Sequence, residues 1–106
     1  MMTTVDEILK ELQHDLVSCG WMLQTLSAGD SIQAVRESLS VILTDSIVIG
    51  DAIDTKKGHV KFVAWTGTRE EQIERAIRRY ASSAHPNNDY AFWLCLKQNV
   101  DEYEIS

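Results

Sequence analysis

The chain has 106 residues, 44% of them hydrophobic and 25% charged, with one proline and five glycines. That is enough apolar chain to bury a core as one domain over residues 1–106, and it excludes a disordered, fibrous or disulfide-stapled class. The formal net charge of −6 argues against general attraction to nucleic acid or to an anionic membrane, while leaving room for a local basic patch.

The N-terminal segment carries Asp6, Glu7 and Glu11 where an export signal needs basic residues and an apolar run, so a cytoplasmic protein is expected. Val5, Ile8, Leu9, Leu12, Leu16, Cys19, Leu23 and Leu26 recur at three- and four-residue steps, the apolar stripe of one long helix. Thr4 and Glu7 have capping-box spacing at its start, and Gly29 is a fitting stop. Gly20 weakens its middle by about 1 kcal/mol relative to alanine and allows a bend. A second helix begins at Asp30 or Ser31, with Ile32, Val35, Leu39, Ile42 and Leu43 in helical spacing. The short connection makes the two helices antiparallel neighbours.

The pattern then changes period. Residues 47–53 are rich in β-branched side chains, 54–58 read as a turn, and 59–65 are again strand formers, which together predict a β-hairpin. Val60, Phe62 and Ala64 share one face; His59, Lys61, Val63 and Trp65 share the other. Gly50 inside the first strand marks a bulge or a close backbone approach. Thr68 and Glu71 form a second capping box before a helix that buries Ile73, Ala76, Ile77 and Tyr80. His85-Pro86-Asn87-Asn88-Asp89 is a loop. Residues 90–97 follow as a strand apolar on both faces, hence an inner strand, and the last residues add an edge strand or trail off. The expected fold class is α+β. Two N-terminal antiparallel helices precede a β-hairpin, a helix and a strand, forming a small three- or four-stranded sheet with helices packed on one face.

Charge is unevenly spread. Residues 1–55 hold two basic and nine acidic side chains, net −7; residues 56–86 hold seven and three, net +4; residues 87–106 hold one and four, net −3. The basic middle has two readings. It is a solvated surface, with Glu71–Arg75 and Glu74–Arg78 paired at four-residue spacing. Or Arg75, Arg78 and Arg79, projecting opposite Ile73 and Tyr80, join Lys56 and Lys57 at the hairpin tip to grip phosphate or carboxylate.

Val17 and Trp21 stand off the main stripe of the first helix. They are candidates for an interface with a second copy or another protein, against the plainer reading of packing within the chain. Cys19 and Cys95 lie among apolar residues and read as reduced core thiols. The chain shows no metal-ligand spacing and no phosphate-loop motif, so no cofactor or metal is assigned. An enzyme would need His59 or His85 to approach Asp45, Asp51 or Asp54, with His14 on the polar side of the first helix. Ranked by these features, the chain is a non-enzymatic protein-interaction module, a homodimer or the accessory or inhibitor of another protein. Binding of nucleic acid or a small anion comes second, and a His/Asp enzyme third. A nucleic-acid partner is disfavoured by the overall charge, and no membrane partner is expected.

Overall fold

The structure, a computed structural model, describes residues 4–29, 31–44, 46–54, 60–84 and 87–100. The first apolar stripe does not form one rod. Helix α1 spans Thr4–Leu12, a two-residue strand β1 spans Val17–Ser18, and helix α2 spans Cys19–Thr25. Two polar side chains make the break. The Leu16 N–H donates to the Asp15 carboxylate at 2.7 Å. Ser18, with extended backbone, accepts from the Trp21 N–H at 3.2 Å and so caps α2. Short polar side chains that bond the adjacent backbone compete with the helical ladder in this way. α1 begins at Thr4 itself, so the residue preceding it lies outside the described residues.

Helix α3 spans Ile32–Ile42 and is capped by Ser31, which accepts from the Ala34 N–H at 3.1 Å. Strands β2 (Ile47–Asp54) and β3 (Val60–Ala64) form the expected hairpin. Helix α4 spans Arg69–Ser82, and its capping box is complete: Glu71 N–H donates to Thr68, and Thr68 N–H donates to the Glu71 carboxylate. Ile73, Ala76, Ile77 and Tyr80 are its buried residues, as their spacing requires. Strand β4 is shorter than residues 90–97 predict, spanning Trp93–Leu96, because Asn87–Tyr90 and Lys97–Asn99 are single 3-10 turns.

The four strands make one antiparallel sheet in the order β1-β4-β2-β3. β4 is indeed an inner strand, and Val17–Ser18 supplies a fourth; residues 101–106, where the sequence also allows an edge strand, lie outside the described residues. β3 and β4 both run antiparallel to β2 and so run the same way, with β2 between them and α4 connecting them. Alternation divides the sheet. On one face Val17, Ile47, Ile49, Leu94 and Leu96 join buried residues of all four helices in the main core. On the other, Phe62 and Cys95 are buried with Leu16 beside Val48, Ala52, Ala64 and Trp93. The adjacent residues Leu16 and Val17 thus serve opposite faces, as strand geometry dictates and helical geometry forbids. The helices pack on one face of an α+β sheet. Among the described residues no helix is long and apolar enough to cross a membrane.

Two backbone positions carry opposite consequences. At Gly50 the neighbouring strand approaches so closely that a β-carbon would lie 2.1 Å from the Val63 carbonyl oxygen. Gly50→Ala should therefore lower stability by about 2–4 kcal/mol, because backbone must move. After α2, Ala28 N–H bonds the Leu23 carbonyl and Ser27 N–H the Gln24 carbonyl, with Ser27 in the left-handed region at φ 51°. This helix-terminating motif normally uses glycine there. Ser27→Gly should raise stability by about 1 kcal/mol, as left-handed strain is relieved. Denaturant midpoints of the two variants check both signs.

Candidate functional site

The residues that sequence analysis singles out fare differently. Val17 is only 1% exposed and belongs to the main core. It is not a surface anchor, because β1 turns its side chain inward to pair beside Leu94. Trp21 is 37% exposed and remains at the surface, on α2. Lys56, Lys57, His59, His85 and Asp45 lie outside the described residues, as does the Asp54 side chain. The proposed His–Asp pairings therefore fall largely outside the described residues. His14 is exposed in the turn after α1.

The arginines of α4 divide. Arg75 and Arg79 are four residues apart on one side of the helix and both turn to Asp51, while Arg78 is exposed. Both reach the Asp51 carboxylate on the core-facing register of β2. Arg79 Nη2 donates to Oδ1 at 2.7 Å, and Arg75 Nη2 stands 3.9 Å from Oδ2. Trp65 Nε1–H completes the set by donating to Oδ2 at 2.8 Å. The guanidinium carbons lie 4.4 Å (Arg75) and 5.6 Å (Arg79) from the Trp65 ring centroid, within cation–π range. Two cations, one anion and one indole thus form a single cluster. Arg75 and Arg79 are nearly half exposed, so each ion pair adds only about 0.2–1 kcal/mol and the cluster is better described as pre-ordered than as strongly bound.

The helical pairs expected at four-residue spacing are displaced by other partners. Glu71 serves the capping box, and its bonds to Thr68 hold its carboxyl below the ordinary value. Glu74 pairs with Arg36 of α3 at 2.7 Å. Arg69 donates to the Ser40 carbonyl, also on α3. These contacts join α3 to α4, whereas Arg75 and Arg79 join α4 to the sheet.

Beside the cluster, Ile53 and Val63 lie on the same face of the hairpin and are exposed. Lys61 pairs with Ile53 in register there. The resulting surface is a β-branched apolar patch bordered by two fixed guanidiniums. The overlooked signal was Asp51 itself. An aspartate continuing the Ile47, Ile49 alternation occupies an inward register and requires donors. Trp65, at the end of β3, was the nearest indole able to supply one.

Among the described residues no three His, Cys, Asp or Glu side chains gather to hold a metal ion. No protein-family model, curated protein or solved structure matches the chain.

Cys19 and Cys95 form no disulfide; both are buried, on opposite faces of the sheet. Burial, with a smaller contribution from the Asp89 charge, pushes the Cys19 thiol from its ordinary 9.0 up to about 12. Since the folded value lies above the unfolded one, this group's contribution to stability is complete below pH 9.0 and is lost as pH rises toward 12. The thermal midpoint should fall across that window, and less steeply in Cys19→Ala. Equal slopes in melts from pH 8 to 11 would show that Cys19 is not the coupled group.

Proposed function

We propose that the protein is a non-enzymatic protein-interaction module. Its docking surface is the exposed Ile53/Val63 face of the β2–β3 hairpin with the Arg75/Arg79 ridge of α4. The partner it fits, another protein or a second copy of this chain, presents carboxylates beside an apolar contact. One observation carries the reading: two guanidiniums are fixed over Trp65 by Asp51, next to exposed Ile53 and Val63. Arginines held in place before binding lose less side-chain freedom when they bind. Arginine is also among the residue types enriched at interface hot spots. Two buried cysteines outside any disulfide fit a reducing, cytoplasmic setting.

The anion-binding alternative receives less support from the same geometry. Asp51 occupies the position between the arginines where a phosphate would sit and cancels one of their two charges. An isolated duplex or phosphate ligand would have to displace it. A carboxylate-bearing protein surface can meet the outer N–H groups and use the apolar patch as well.

Tagged wild-type chain should co-purify a partner, or sediment as a dimer, at low salt. Arg75→Ala/Arg79→Ala and Val63→Asp should each reduce that association about tenfold or more, whereas Arg78→Ala should leave it unchanged. A monomer that retains nothing, or a partner held equally by all variants, would remove the reading. Low-salt titration with a fluorescent oligonucleotide separates the alternative: tight binding lost in an Arg75/Arg78/Arg79→Ala triple variant would favour anion recognition instead.

A further inference from the structure

A second site lies at the β1 edge of the sheet. α2 and the 3-10 turn Asn87–Tyr90 border an open cleft of about 480 Å³, lined by Trp21, Gln24, Ser18, Asp89 and Tyr90 among others. That volume falls within the range of about 300–1,000 Å³ typical of small-ligand sites. Its construction depends on Gly20. A β-carbon there would stand 2.6 Å from Asp89 Cβ, so the missing side chain is what admits the aspartate beneath α2. Asp89 is half-buried, and its charge reaches the Cys19 thiol on the neighbouring turn of α2. Tyr90 is stacked on Trp93, with ring centroids 5.7 Å apart, yet remains 63% exposed at the rim. Trp21 supplies the other aromatic wall.

Among the described residues the lining contains a carboxylate and two aromatic rings, and no lysine or arginine. The surroundings reinforce that sign. Trp21 borders an adjoining hollow with Glu7, Glu11, Lys10 and His14, and Tyr90 borders another with Asp15. Carboxylates outnumber ammonium groups around both rings. An anion would be repelled, and a neutral ligand would leave the Asp89 charge without a counter-charge. A cation with an apolar surface satisfies both the rings and the carboxylate, since aromatic faces attract a weakly hydrated ammonium.

We infer that the α2–Asp89 cleft binds an organic ammonium group, held between Trp21 and Tyr90 with Asp89 as counter-charge. The ammonium can belong to a free small molecule or to a methylated lysine side chain, which share this chemistry. This inference does not rest on the α4 surface and stands or falls separately from it.

The test uses the full chain. Choline chloride and a trimethyllysine peptide are titrated in turn at constant ionic strength, followed by amide and indole NMR shifts. The neutral isostere 3,3-dimethylbutan-1-ol provides the charge control. The expected result is saturable shifts centred on Gly20, Trp21 and Tyr90, with choline or the peptide bound about tenfold or more tightly than the isostere. Asp89→Asn should weaken binding by a similar factor. Saturation by choline identifies the free ammonium as sufficient; saturation by the peptide alone identifies a modified protein as the source. Either supports the site. Equal affinity for choline and the neutral isostere, or no saturable shift with either ammonium ligand, overturns it, and neither outcome depends on a variant folding.

Discussion

Asp51 occupies the core-facing register of β2, one step beyond Ile49, and much of the structure is organised around that placement. Ile47 and Ile49 are buried beneath the helices. At residue 51 the same alternation directs a carboxylate inward, where it is only 27% exposed. A charge so placed needs donors, which the Trp65 indole and the Arg79 guanidinium supply, while Arg75 adds its charge at 3.9 Å. Trp65 can then bury its ring in the core while its N–H is satisfied. Gln72 donates to the carbonyls of Trp65 and Gly67, fastening the start of α4 to the end of β3. The hairpin and α4 are thereby joined at both ends of the Trp65 side chain, and the arginines are held where their outer faces meet solvent.

What could be read directly from the sequence was local. Ser31 and the Thr68/Glu71 box bond within three residues, so their chemistry is visible in a short window, and both helices start where those residues stand. The two faces of β3 follow from strict alternation, and the buried side of α4 from its spacing. The break between α1 and α2 was harder to see. The apolar stripe keeps helical spacing through Leu16 and Cys19, and only Asp15 and Ser18 hint at interruption. The decisive partner is β4, near the other end of the chain, which gives Val17 and Ser18 a strand to pair with. Non-local pairing overrides a continuous helical pattern here, and the predicted face containing Val17 disappears with it.

The charged side chains show the same division between local and distant partners. Sequence spacing offers Glu71 to Arg75 and Glu74 to Arg78. Folding gives Glu71 to the cap, Glu74 to α3 and Arg75 to β2. A four-residue pair on an exposed helix adds only about 0.2–0.5 kcal/mol, so a cap bond or a partly shielded tertiary partner readily displaces it. Among the described residues basic side chains of this segment divide between separate partners. Part of it stitches α3 to α4, and part forms the ridge beside the hairpin. The ridge was only half legible: its arginines were evident, while the carboxylate and indole that position them belong to the strands.

Sheet order also determines how the two candidate surfaces relate. The hairpin places β3 at one edge, and the Asp15–Ser18 break places β1 at the other, with β4 and β2 between them. The arginine ridge is anchored at Asp51 on β2, and the Trp21 cleft lies beside β1, beyond β4. The same interruption that sends Val17 into the core leaves Trp21 on a short helix against Asp89 and Tyr90, where the neighbouring charge is negative. In one continuous helix Trp21 would have shared its face with Val17 as an apolar anchor. In the folded chain it is one wall of an acidic aromatic cleft, so the chemistry it can recognise is set by the strand that interrupted the helix.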